Sequence, residues 1–238
     1  MDEKTFLRNY DIHEFDIPLV SVDGVLFTYA DGQLKVLLVK RSEHPEKGKW
    51  GLPGGFVNKD LDNDLEDTVR RKISEKTGVN PPYIEQLQSY GNARRDKRGW
   101  SVTVCYSALI AHQDCAAEGK AVSEIRWVEI EEALRKKLAF DHRQIITDAR
   151  ERLRQKALYS IIPAYALPKS FTLPELQQVH ECLIGKPLQK KSFRRRIEQA
   201  GLLVDTGQKR AEGGRPATLY RLAEKAGSFT FLRNLEDC

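Results

Sequence analysis

Gly51-Leu52-Pro53-Gly54-Gly55-Phe56-Val57 and, further on, Arg71-Lys72-Ile73-Ser74-Glu75-Lys76-Thr77-Gly78-Val79 are the two stretches on which the reading of the fold turns. The first is a glycine-rich loop. The second closes a helix predicted over residues 62–77, stopped by Gly78 and sealed by Pro81-Pro82. Upstream, 19–30 and 35–40 read as two strands joined by an Asp31-Gly32 turn, with residues 36–39 a buried apolar run. Downstream, 101–110 and 125–128 are predicted strands and 141–159 an amphipathic helix. Pro163 and Pro168 then interrupt the pattern and place a boundary near the end of that helix.

The remainder is built differently. Thr172-Leu173-Pro174-Glu175 is a capping box that opens a helix ended by Gly185. After Lys186-Pro187 a second helix runs to about Ala200, followed by Gly201. Residues 202–204 and 217–222 then read as two strands around a basic, glycine-containing loop. Helix, turn, helix and hairpin is the layout of a winged helix-turn-helix.

Charge separates the two parts. From residue 150 onward 17 Lys and Arg stand against 9 Asp and Glu, and before it 22 stand against 25. A mildly acidic part joined to a basic one is expected when only the second meets a polyanion, although a solvated basic surface has the same composition. In the helix over 189–200, Phe193, Ile197 and Ala200 make one apolar stripe. Lys190, Lys191, Arg194, Arg195 and Gln199 occupy the rest of the circumference, with Arg196 near its edge and Glu198 the only acid; Ser192 is a further candidate DNA contact. Such a face fits a major groove. Lys209, Arg210 and Arg215 are expected on the tip of the wing, facing phosphate or minor groove.

No apolar run approaches the roughly 20 residues that cross a bilayer, and Met1-Asp2-Glu3-Lys4 lacks a hydrophobic signal core. A cytoplasmic chain without membrane contact is expected. Cys105, Cys115, Cys182 and Cys238 are scattered, which argues against zinc and against disulfides.

Residues 51–79 resemble the Nudix box: Gly, five residues, Glu, seven residues, then Arg-Glu-hydrophobic-x-Glu-Glu-x-Gly-hydrophobic. The spacing in this chain is two residues longer. Where members of that superfamily gather divalent cations on helix glutamates, this chain places Lys72 and Lys76, neighbours four apart on one helix face. Glu75 remains, with Arg71 one turn before it. Asn63 stands about where the early Glu belongs, with Asp62 and Asp64 as neighbouring alternatives. The resemblance therefore implies a domain in which metal-dependent hydrolysis is lost, with no catalytic residue and no catalytic metal. The lysines are either phosphate-facing cations or solvated helix residues. The turn Arg94-Arg95-Asp96-Lys97-Arg98-Gly99-Trp100 and the segment Leu138-Ala139-Phe140-Asp141-His142 are similar to Nudix proteins that act on ADP-ribose. The expected ligand set is Arg41, Gly55, Phe56, Arg71, Glu75, Arg94, Arg95, Trp100 and His142. Phe56 or Trp100 either stacks on adenine or is ordinary packing, and His142, at a helix start, either faces the ligand or is a capping or core histidine.

The whole combination, with Phe193-Arg194-Arg195 and Gly214-Arg215-Pro216-Ala217-Thr218-Leu219-Tyr220, resembles the NrtR family, the Nudix-related transcriptional regulators of NAD metabolism. The implied fold class is α+β in two domains. A degenerate Nudix-type α/β/α sandwich with a mixed sheet would span 1–152 and a winged helix-turn-helix 153–238. The resemblance implies a homodimer on palindromic double-stranded operator DNA. It would be a repressor of genes for NAD synthesis or salvage, released by ADP-ribose or a related nucleotide, with no cofactor. Two rivals are an active ADP-ribose pyrophosphatase with an accessory basic domain, and an RNA-binding or adaptor protein.

Overall fold

The computed structural model describes residues 2–116, 121–211, 216–224, 226, 230–231 and 234–235. The first part contains helix α1 (Glu3–Asn9), strands β1 (Leu19–Ala30), β2 (Gln33–Arg41), β3 (Trp50–Gly51) and β4 (Gly54–Phe56), and helix α2 (Leu65–Thr77). Strands β5 (Glu85–Asn92), β6 (Ser101–Ile110) and β7 (Val122–Glu129) follow, then helices α3 (Ile130–Arg135) and α4 (His142–Tyr159). The sheet is mixed. β1 and β6 run parallel from Leu19 beside Ser101 to Thr28 beside Ile110, and the other pairings are antiparallel. The Asp31-Gly32 turn has φ of 55° and 76°, the left-handed pair that a two-residue hairpin needs.

Strand alternation sends residues to two layers. Val22 and Leu26 of β1 and Leu37 of β2 pack with Val69 and Ile73 of α2. Gly24 lets α2 approach, since a Cβ there would lie 2.7 Å from Ile73 Cδ1. On the other face Val25, Phe27, Val36 and Leu38 pack with Ile145, Ile146, Ala149 and Leu153 of α4. This is the α/β/α sandwich expected, with one difference in α2. That helix starts at Leu65, because Asp64 accepts the Asp67 N–H as its N-cap while Asp62 serves the preceding loop.

The second part comprises α5 (Leu173–Ile184), α6 (Lys190–Gln199), β8 (Leu203–Arg210) and β9 (Ala217–Leu222). The Thr172–Glu175 capping box forms, and Gly185 ends α5 at φ 83°. Phe171 bridges to Tyr220, so the hairpin is pinned to the start of α5. The wing differs from the short strand expected at 202–204. A register shift between Asp205 and Lys209, at Gly207 with φ 73°, lets β8 continue to Arg210. Lys209 and Arg210 therefore lie on a paired strand, opposite Thr218 and Ala217. Arg215, expected at the tip, lies outside the described residues.

One apolar cluster runs from the sheet through α4 to Leu176, Val179 and Phe193 without a break at residue 152. Among the described residues no helix is long and apolar enough to cross a membrane.

Candidate functional site

Where β4 pairs with β1, the sheet opens into a cleft of about 740 Å³. Glycine makes its floor. A Cβ on Gly54 would lie 2.2 Å from Asp23 Oδ1 and 2.3 Å from the Val22 carbonyl, and one on Gly51 would lie 2.8 Å from His142 Nδ1. The His142 ring is buried, and its Nδ1 accepts the Leu52 N–H at 2.9 Å. The ring hydrogen is therefore on Nε2, 3.6 Å from Asp23 Oδ1. Burial pushes the His142 pKa down to about 3, so the imidazole is neutral. Burial also pushes Asp23 up to about 6, against a hydrogen bond from Thr103 Oγ1 at 2.8 Å and the nearby Arg95.

Arg95 organises the wall behind. Its guanidinium meets both oxygens of Asp141, at 3.0 and 3.1 Å, a two-point pairing of guanidinium with carboxylate. Asp141 stands at the N-cap of α4 yet makes no side-chain cap bond, and its carboxylate faces Arg95. Phe140 has φ 50°, a left-handed conformation unfavourable for a bulky residue. Its surroundings hold it there. The Ala139 N–H donates to the Trp50 carbonyl at 2.7 Å, and Arg41 lies over the Phe140 ring at 5.0 Å.

The α2 wall is cationic. Lys76 Nζ donates to the Gly54 carbonyl; burial lowers its pKa and Asp23 partly offsets that. The Lys72 stem lies on Gly55, and its Nζ donates to Glu75 at 2.8 Å. Glu75 also accepts from Arg71 at 2.9 Å. Burial works to raise the Glu75 pKa, but the hydrogen bonds from Lys72 and Arg71 outweigh it and hold the carboxyl below its ordinary value. Asp62 accepts two bonds from Arg71, at 2.7 and 2.6 Å, which hold it well below the carboxylate range. Asn58 N–H and Thr68 Oγ1 also donate to it. Glu75 and Asp62 are thus both already engaged by cations.

Arg41, Gly55, Phe56, Lys72, Lys76, Arg95 and His142 line this cleft. Arg71 and Glu75 stand on α2 outside the lining, and Arg94 faces an adjoining hollow of about 340 Å³. Trp100 packs beside Gly91 and is 52% exposed. Phe56 is covered on one face by Arg98, 4.8 Å from the ring centre. Sequence reasoning passed over Asp23. Its signal was a lone carboxylate inside an apolar strand, a residue type rarely buried without partners.

In the second part, Phe193 and Ile197 of α6 are buried as the stripe predicts, while Lys190, Lys191, Arg194 and Arg195 are exposed. Gln189 caps α6 by accepting the Ser192 N–H at 2.6 Å. Arg194 pairs with Glu198 at 2.8 Å. A groove of about 460 Å³ between α6 and the wing is lined by Lys190, Arg194, Lys209 and Thr218, among others. Two candidates are engaged elsewhere. Arg196 donates to the Asn234 carbonyl and lies over Phe231, and Arg210 pairs with Glu175.

Two family profiles match the chain: a NUDIX domain over residues 18–149, and the NrtR DNA-binding winged helix domain over 163–222. The ADPR responsive transcriptional repressor NtrR of Acinetobacter baylyi is 44% identical over 98% of this chain and 94% of its own length. The structure of Shewanella oneidensis NrtR complexed with a 27mer DNA is 61% identical, with a TM-score of 0.86, over 91% of this chain and 99% of that one. The NUDIX domain of the same Shewanella protein, complexed with ADP ribose, is 56% identical with a TM-score of 0.63 and covers 64% of this chain and 99% of its own.

Proposed function

The chain belongs to the NrtR family, and from that premise we infer that it is an ADP-ribose-responsive transcriptional repressor. The observation that carries this reading is the pairing, in one molecule, of a cationic cleft and a cationic exposed helix face. The cleft places Arg41, Lys72, Lys76 and Arg95 around a space sized for a nucleotide. A diphosphate carries the negative charge that such a wall attracts. We assign the ligand contacts to Arg41, Gly55, Phe56, Arg95 and His142, with Phe56 offering its free ring face to adenine. Arg71, Glu75, Arg94 and Trp100 act around the cleft rather than within it.

The fold family implies Mg²⁺ chemistry, and the residues present do not fit it. Lys72 and Lys76 stand where the Nudix pattern has glutamates, and Glu75 is engaged by Lys72 and Arg71. Among the described residues no three His, Cys, Asp or Glu side chains converge as a ligand set. Two ammonium groups repel a divalent cation at the position where carboxylates would bind it. The domain binds its nucleotide and does not hydrolyse it, so no metal and no cofactor takes part.

Operator DNA is met by α6, with Arg194 and Arg195 at base edges and Lys190, Lys191 and Lys209 at phosphates. The protein acts as a homodimer on a palindromic operator in the cytoplasm, and its targets are genes of NAD synthesis or salvage. Support for a second copy comes from the exposed apolar residues Phe6, Leu7, Ile12, Phe15 and Ile17 near the N-terminus, a run that solvent does not favour. ADP-ribose binds one arrangement of the dimer better than the other and thereby releases DNA.

Fluorescence anisotropy tests this. A labelled duplex from upstream of an NAD-synthesis gene cluster is titrated with protein, then with ADP-ribose, beside AMP-release controls containing Mg²⁺. Saturable binding reversed by ADP-ribose, with no AMP formed, is the expected outcome. AMP release without specific duplex binding would return the chain to the pyrophosphatases.

A further inference from the structure

An α-helix leaves its last four carbonyls without intrahelical donors. In α4, three successive ones are satisfied from beyond residue 170. The Ala157 carbonyl accepts from His180 Nδ1 at 2.9 Å, Leu158 from the Leu235 N–H at 2.7 Å, and Tyr159 from the Phe231 N–H at 2.7 Å. Both of the segments that supply these donors also grip α6. The His180 ring stands edge-on to Phe193, with centroids 5.2 Å apart at 67°. Arg196 of α6 donates to the Asn234 carbonyl and lies over Phe231 at 5.8 Å.

The opposite end of α4 belongs to the cleft. The helix starts at His142, which walls the cleft, directly after Asp141, which Arg95 holds. From His142 to Ala157 the helical rise is about 22 Å. One rigid element therefore touches the ligand site at its first turn and the supports of the recognition helix at its last.

We propose that α4 is the lever by which an occupied cleft repositions α6, and that His180 is the positioning residue joining the last turn of α4 to Phe193. This rests on the reading of the protein as a repressor released by ADP-ribose. The choice of histidine favours a linking role over a stabilising one. Nδ1 faces a carbonyl and must carry the ring hydrogen, which leaves Nε2 bare, buried and, among the described residues, without a partner. An unpartnered buried acceptor costs stability that an apolar ring of similar size would not. The apolar ring, however, cannot hold the Ala157 carbonyl. Apolar surfaces can slide past one another, whereas a hydrogen bond fixes the angular position of one helix on the next. Coupling between distant sites is carried by such rigid elements when they have two discrete arrangements.

The test compares three quantities in the full chain: ADP-ribose affinity by calorimetry, affinity for a labelled duplex selected by the protein from a random pool, and that affinity under saturating ADP-ribose. The ratio of the last two is the coupling factor. His180→Phe keeps a ring against Phe193 and loses the link, and His180→Gln keeps a donor. His180→Phe is expected to bind ADP-ribose and bare duplex within about threefold of the parent while its coupling factor falls at least about fivefold. His180→Gln should retain most of the factor. An undiminished factor in His180→Phe would overturn the proposal. Should that variant lack a cooperative melt, Phe193→Leu, which keeps the His180–Ala157 bond and removes the ring contact with α6, is read in the same assay, and an undiminished factor there has the same meaning. A parent that shows no effect of ADP-ribose on duplex binding removes the repressor reading itself, and the lever with it.

Discussion

His142 and His180 are both buried and both neutral, and that makes the fold sensitive to acid. In the unfolded chain each takes up a proton near pH 6.5, whereas burial delays this to about 3 for His142 and about 4 for His180. Below pH 6.5 the unfolded state therefore holds more protons, and stability falls as the pH falls. Across its window His180 alone accounts for about 3 kcal/mol. Asp23 opposes: raised from 3.8 to about 6, it gives the folded state the extra proton between those values. The urea midpoint is expected to drop between pH 7.5 and 5, and His180→Gln should flatten the drop; a midpoint constant over that range would contradict the assignment. Sterics give a second prediction. An added Cβ at Gly54 meets backbone and carboxylate, while at Gly55 it meets only the flexible stem of Lys72, at 2.9 Å. Gly54→Ala should cost about 3 kcal/mol or more in thermal unfolding, and Gly55→Ala under about 1 kcal/mol. The glycine loop was legible in the sequence, but which glycine is indispensable was not. That depends on Asp23 and Val22, which reach the loop only through strand pairing.

At the scale of elements, legibility follows local chemistry. The Asp31-Gly32 turn, the Thr172–Glu175 box and the stops at Gly78 and Gly185 are written in a few adjacent residues and form as read. β5 was missed because Glu-Gln-Leu-Gln-Ser-Tyr-Gly-Asn has no apolar alternation; its strand character comes from pairing with β6. The length of β8 was missed for a related reason, since Gly207 reads as a loop residue and acts as a bulge. The α6 stripe was legible because two buried positions four apart suffice to orient a helix. Its exposed face makes the third prediction. Arg194→Ala and Arg195→Ala should each weaken duplex binding by about 1–3 kcal/mol and relax base preference at one position. Lys190→Ala should weaken all sequences alike and lower the salt slope by about one. Arg210→Ala should act less on DNA, because its side chain, held by Glu175 of α5, is 33% exposed against 64% for Arg194, whose partner Glu198 lies on α6 itself. Anisotropy titrations at several salt concentrations separate these outcomes, and full affinity in both arginine variants would remove α6 as the reading element.

Over the whole molecule, charge divided the chain near residue 150, yet packing does not. α4 runs unbroken to Tyr159, and the apolar cluster continues from Val25 on the sheet to Phe193 on α6. A composition boundary marks where partners change; a packing boundary marks where motion is free, and in this chain the two differ. A shared core means that the cleft and the α6 surface cannot rearrange independently; on the proposed reading, ligand and operator therefore compete through one equilibrium. Such coupling is reciprocal by necessity. If saturating ADP-ribose weakens duplex binding by some factor, saturating duplex must weaken ADP-ribose binding by the same one, within a range of about 5 to 150. Calorimetry of ADP-ribose with and without duplex, set beside anisotropy of duplex with and without ADP-ribose, measures both directions. Matching factors are expected. Equal ADP-ribose affinity in the presence and absence of duplex would mean that the nucleotide distinguishes no arrangement of the DNA-binding part. A ligand without differential affinity shifts no population, however tightly the cleft holds it.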